Sequence, residues 1–169
     1  ALVNANERVI YADPNRDVAV ILFQPPADFT IPATELPLIP TGNWAFPGVE
    51  VGWVGYPAVN PNSLCFFRGS VSCILETHFA YLIDGVSIHG LSGGPSFICD
   101  QNGGSVHLAG VVSAYLPNYT TGQPLPGVCR VQNVEPFHSM LQTFTSLEQP
   151  PPPPPPAVAP NQTPTLAPQ

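Results

Sequence analysis

Apolar positions along this chain recur mostly at strand spacing. In residues 5–24, ANERVIYADPNRDVAVILFQ, Val9 and Tyr11 alternate with polar or small neighbours, the mark of a half-buried strand. Asp13-Pro14-Asn15 carries turn chemistry, and Val18 to Phe23 is an unbroken apolar run of strand length. These residues predict two strands around a tight turn. Residues 25–48 hold six prolines and little periodicity, which predicts an extended connector. Seven short β-like segments follow: Val49–Tyr56, Ser63–Arg68, Val71–Glu76, Phe79–Ile83, Pro95–Cys99, Val106–Tyr115 and Gly127–Val131. Each is bounded by Gly, Pro, Asn or Ser, a rhythm that predicts a small all-β barrel or sandwich. Helical spacing occurs once, over Glu135–Leu147. There Phe137, Met140 or Leu141, Phe144 and Leu147 share a face, and Pro136 sits near the first turn.

Composition divides the chain further. Of its 169 residues 24 are proline, seven of them in the run Pro150–Pro156. An apolar content of 44% over the whole chain is ample for one packed core, and a polyproline, linker-like tail follows at 149–169. The expected organisation is residues 1–24 as the end of a first β-unit, 25–48 as connector, 49–148 as a barrel with its helix, and 149–169 as tail.

Charge excludes some function classes. Four arginines and no lysine face eleven acidic residues, for a net charge of −7. Nucleic-acid binding needs a basic face to displace counterions, and this chain cannot build one. Anionic membranes are disfavoured for the same reason, and no apolar run reaches the roughly 18 residues that span a bilayer. Cys65, Cys73, Cys99 and Cys129 form no CxxC pair and suit no zinc finger or ribbon. Their even number, with sequons at Asn118 and Asn161, leans toward disulfides and a secreted, extracellular setting. Four buried free thiols are the alternative.

The segment Gly90-Leu91-Ser92-Gly93-Gly94-Pro95-Ser96 carries the clearest chemistry. Flanking glycines let a backbone turn sharply and aim its N–H groups into one space. A serine in that turn exposes its hydroxyl beside those donors, as attack on a carbonyl requires. A Gly-rich turn with an incidental Ser is the plainer reading of SGG alone, but not of GxSGGP followed by a strand.

These residues resemble the nucleophile loop of the trypsin/chymotrypsin-like serine proteases, closer to the bacterial-type members than to the pancreatic enzymes. Ile83-Asp84 lies just upstream of Gly90–Pro95, as in the bacterial-type pattern, and three other segments agree in order. Asp13-Pro-Asn-Arg-Asp17-Val-Ala-Val resembles the strand of the triad aspartate. Val51–Pro57 resembles the opening of the second barrel. Leu108–Tyr115 resembles the strand that lines the substrate cleft. The resemblance covers about residues 5–145. It implies an all-β, chymotrypsin-like double β-barrel fold, here the last strands of barrel one, a complete C-terminal barrel and a C-terminal helix. It also implies a serine endopeptidase acting on protein or peptide substrates, with no metal or cofactor.

By the same resemblance Ser92 is the nucleophile and Asp17 orients the histidine base. The N–H groups of Gly90 and Ser92 form the oxyanion hole. Ser113 hydrogen-bonds Asp17, and Ser113, Ala114 and Tyr115 meet the substrate strand. Val86 lies near the floor of the primary specificity pocket, which suggests a small or apolar preference, with Tyr115 narrowing the entrance. Leu91 stands where zymogen-activated members carry an Asp, which argues against that activation switch. The plainer reading of Asp17 is a turn-capping carboxylate.

The family order His, Asp, Ser places a histidine about 45 residues before Asp17. All four histidines, His78, His89, His107 and His138, instead follow it. The expectation is an N-terminally truncated protease, inactive as it stands because serine without a base is a weak nucleophile. A natural non-catalytic protease-like binding module is the alternative. His89 is close enough in sequence to reach Ser92, but nothing orients it. Surface or satisfied packing positions are expected for the other three. GLSGG also fits the α/β-hydrolase elbow, with Ser92, Asp100 and His138 in nominal order, but that fold needs strand–helix alternation absent here. Oligomeric state is not fixed by the sequence.

Overall fold

The computed structural model describes residues 2–5, 8–23, 25–99, 104–117 and 120–148. The proline tail, Asp100 and both sequon asparagines lie outside them. Two β units are present. A three-stranded antiparallel sheet runs β1 (Leu2–Ala5), β2 (Arg8–Asp13), β3 (Val18–Phe23). A closed barrel follows, from β4 (Glu50–Gly55), β5 (Cys65–Leu75), β6 (Ala80–Asp84), β7 (Pro95–Cys99), β8 (Val106–Pro117) and β9 (Pro124–Asn133). Its strand order is β4-β5-β6-β9-β8-β7, every pair antiparallel, with β7 returning to β4. Closure gives every strand of the ring two neighbours, although β7 pairs with β8 only as far as Val111. The helix α1 (Glu135–Glu148) completes the described chain. This is the architecture the resemblance implies: the end of one sheet, a complete barrel and a C-terminal helix.

Inward-facing residues fill the barrel at period two. Val51 and Trp53 of β4, Tyr81 and Ile83 of β6, and Cys129 and Val131 of β9 are all fully buried. The Trp53 ring stacks on Phe67, with centroids 6.3 Å apart and planes 16° from parallel. Each large apolar side chain so buried contributes about 1.5–3 kcal/mol.

Two differences from the sequence reading have clear causes. The segments 63–68 and 71–76 are one strand, β5, which kinks at a register shift between Val71 and Cys73. Gly69 and Ser70 look like a turn, yet a Cβ at Gly69 would collide with the Asp84 carbonyl. That glycine permits close approach of two strands instead of breaking one. The expected disulfides are also absent, and all four cysteines are free thiols. Strand geometry explains this. Cys65 and Cys73 lie on one strand eight residues apart, about 26 Å at strand rise. Cys129 points into the core, and Cys99 ends β7 exposed. The four-buried-thiol alternative fails as well, since only Cys129 is buried.

The connector is sewn to the barrel. Leu38 bridges Leu108 in parallel, through Leu108 N–H to the Pro37 carbonyl (2.8 Å) and Ile39 N–H to the Leu108 carbonyl (3.0 Å). The buried Tyr81 hydroxyl accepts from Ala45 N–H (3.2 Å) and Asn133 Nδ2 (2.8 Å). Asn133 Oδ1 also accepts from Glu135 N–H at 2.6 Å and so caps the start of α1. On its inner face α1 packs Met140 and Phe144 against Val18 of β3. Among the described residues no helix is long and apolar enough to cross a membrane.

Candidate functional site

The β2–β3 turn and the loop before β7 converge on β8. The turn is built by Asp13, whose Oδ1 accepts from Asn15 N–H (3.1 Å) and Arg16 N–H (3.3 Å). Its Oδ2 holds the Arg16 guanidinium at 3.3 Å. That guanidinium lies 4.6 Å over the Phe79 ring, a cation–π contact that ties the turn to the barrel. Capping is therefore done by Asp13. Asp17, in the left-handed region at φ 54°, sends its carboxylate across the molecule, where Oδ2 accepts from Ser113 Oγ at 2.6 Å.

The Gly90–Pro95 loop is fixed by its backbone. Gly90 (φ +92°) and Gly93 (φ +83°) adopt a conformation that L side chains rarely take. A Cβ on Gly90 would strike the Tyr56 carbonyl, and one on Gly94 the Val54 carbonyl. The Ala58 N–H to His89 carbonyl bond (2.7 Å) holds the loop entrance. Leu91 is 0% exposed and anchors the loop in the barrel core, where an acidic side chain would be a buried charge. The amides of Leu91, Gly93 and Gly94 donate to the carbonyls of Ile88 (3.3 Å), Val112 (2.7 Å) and Leu91 (2.9 Å). Those of Gly90 and Ser92 have no acceptor among the described residues. Ser92 itself is exposed.

Gly93 thus bonds to Val112, and the next residue, Ser113, bonds to Asp17. The loop of Ser92 and the carboxylate of Asp17 are brought to the same stretch of β8. Pairing of β8 with β7 stops at Val111, whereas its pairing with β9 continues to Pro117. Ala114 and Tyr115 lie in β8 opposite Arg130 and Cys129; their side chains are outside the described part. Val86 is 46% exposed on the segment leading to the loop. Beside it, the Cys129 thiol meets the Ser87 hydroxyl; burial pushes the thiol pKa up, and the Ser87 contact opposes that in part. Sequence reasoning missed this pair, because nothing in a lone Ser or Cys signals their approach across β9.

Four histidines lie in the described part. Among the described residues none hydrogen-bonds to Asp17 or Ser92. His78 sits on an exposed 3-10 turn beside Thr77 Oγ1 (3.0 Å). His138 Nε2 contacts the Ile39 carbonyl at 2.7 Å, so it belongs to the connector and not to an elbow triad. His107 corrects the expectation of a satisfied packing position, since its Nδ1 is buried with no partner among the described residues. The elbow reading fails on the fold too, because Pro95 starts a strand and not a helix. No three His, Cys, Asp or Glu stand together as a metal site among the described residues. No protein-family model matches this chain, and no characterised protein matches it.

Proposed function

We propose that this chain is a non-catalytic, protease-like module that binds extended peptide segments. One observation carries the reading. Two N–H groups, at Gly90 and Ser92, have no acceptor among the described residues and stand beside β8 and the Ser113–Asp17 bond, and among those residues no imidazole is bonded to Asp17 or Ser92. Paired N–H donors hold a peptide carbonyl whether or not the bond is cut. Beyond Val111, β8 has no β7 neighbour, so an extended peptide can lie along it and add main-chain hydrogen bonds. Ser113, Ala114 and Tyr115 are the residues it would meet, and Val86 the one nearest its anchoring side chain. Binding needs no base, whereas acyl transfer does.

A second reading, a serine endopeptidase, is favoured by the 2.6 Å bond from Ser113 to Asp17, which holds the carboxylate at a fixed place. In that reading a histidine from a segment joined to this chain takes the Ser92 proton. Ser92 Oγ attacks the carbonyl carbon, the amine leaves with that proton, and water hydrolyses the acyl ester.

Incubation with a peptide library separates the two. Binding without cleavage, unchanged in Ser92→Ala and with Ser92 inert to a fluorophosphonate, is the expected result. Turnover, or covalent labelling of Ser92, would overturn the binding reading in favour of the protease.

A further inference from the structure

The Asp17 carboxylate stands exposed beside the stretch of β8 that has no β7 neighbour. Its Oδ2 accepts from Ser113 Oγ at 2.6 Å, while its Oδ1 accepts nothing and the carboxylate has no ion pair among the described residues. The cation next to it in sequence is turned away: the Arg16 guanidinium lies on Asp13 (3.3 Å) and over the Phe79 ring (4.6 Å). Arg68 is held by Glu50 at 3.2 Å, and Arg130 donates to Gln132 Oε1 at 3.3 Å. Asp17 does not close the β2–β3 turn either, because Asp13 accepts the turn's N–H groups. Yet Asp17 sits at φ 54°, a left-handed conformation uncommon for any residue but glycine. That backbone caps no turn and neutralises no charge of this chain. Its effect is to deliver a carboxylate, fixed by one oxygen, to the edge where a peptide strand would lie.

Resting on the peptide-binding reading above, we propose that Asp17 determines which peptides bind: it pairs with a lysine or arginine side chain at one fixed position of the bound segment. Charge complementarity selects this class. The chain has a net charge of −7 and no lysine, so its field draws cationic peptides and repels acidic ones. Asp17 adds position to that general attraction. Along a strand only every second side chain points to the same side, so a peptide on β8 brings one residue to the carboxylate and turns its neighbours away. With Oδ2 already engaged by Ser113, a guanidinium fork gains little over an ammonium, and lysine and arginine rank alike.

The test measures Kd by calorimetry for the wild-type chain and a capped, uncharged heptapeptide of alanine, serine and valine. Each position of the peptide is replaced in turn by lysine, arginine, glutamine or glutamate. At one position lysine and arginine should bind about fivefold tighter than glutamine at low salt, the upper worth of an exposed ion pair, and glutamate more weakly than glutamine. Salt at about 0.5 M should erase most of the difference. In Asp17→Asn, whose amide oxygen can still accept from Ser113, the lysine-to-glutamine ratio at that position should fall to about one. Peptides that bind with no preference for lysine or arginine would overturn this proposal and leave the binding reading standing. So would an equal preference at every position, which assigns the effect to net charge, or a ratio that survives in Asp17→Asn. Failure of every peptide to bind the wild-type chain would overturn both.

Discussion

Ser113 Oγ donates to Asp17 Oδ2 at 2.6 Å, joining a barrel strand to the turn of a separate sheet across 96 residues of sequence. With the Arg16–Phe79 contact and Val18 packed on α1, it ties the first sheet to the barrel and its helix. Ser113→Ala removes one hydrogen bond to a charged acceptor, about 1.5–3 kcal/mol at most and less where Asp17 is exposed. Hydrogen exchange should show faster amides in β2 and β3 and unchanged protection in β6 and β9. Loss of protection throughout the barrel would show that the bond belongs to the global core.

Gly90 and Gly93 share a left-handed backbone but not the same surroundings. A Cβ at Gly93 meets nothing within 4 Å, whereas at Gly90 it meets the Tyr56 carbonyl. Gly93→Ala should therefore cost only the conformational penalty, about 1–2 kcal/mol. Gly90→Ala should cost clearly more and displace the loop. Chemical denaturation of the two variants measures the difference. Equal losses would mean that the Tyr56 segment yields freely.

Much of this fold was legible because its signals are local. The Val49–Tyr56 alternation became β4, Pro95–Cys99 became β7 without change, and the spacing of Phe137, Met140 and Phe144 became α1. What escaped was set by distant backbone. Gly69 read as a turn because the Asp84 carbonyl it faces lies on another strand. β1 has no marked pattern and forms by pairing with β2. For the site, the glycines at 90 and 93 announce the bend itself. The meeting of Asp17 with Ser113 was implied only by the family resemblance, since neither residue carries a local signal of the other.

The free thiols make a graded set. Cys99 is exposed, Cys65 and Cys73 are half-buried, and Cys129 is buried. An aromatic disulfide reagent should label Cys99 first and Cys129 only on unfolding, because burial of Cys129 disfavours its reactive thiolate. Four thiols should titrate in denaturant without reductant, and dithiothreitol should leave Tm unchanged. A Tm that falls on reduction would reinstate a bridge.

Two buried acids set the alkaline limit of the barrel. Burial is the main cause that raises Tyr81 above its ordinary value of 10.0 and Cys129 above 9.0; hydrogen bonds at each oppose it. Between the unfolded and folded values the unfolded chain has released these protons and the native one still holds them. The unfolded state then binds fewer protons, so stability falls as pH rises. Up to about pH 8 the two groups contribute almost no slope; Cys129 acts first, as its unfolded thiol ionises around 9.0, and Tyr81 follows around 10.0. Tm should thus be flat with respect to these groups from pH 7 to about 8 and decline toward pH 11. Cys129→Ala should remove the earlier part of the decline. Tyr81→Phe should remove the later part while lowering Tm at every pH, because Asn133 Nδ2 and Ala45 N–H lose their shared acceptor at about 1–3 kcal/mol for each buried donor left unpaired. If both variants keep the wild-type slope, the alkaline loss originates elsewhere, in the arginine contacts or the remaining tyrosines.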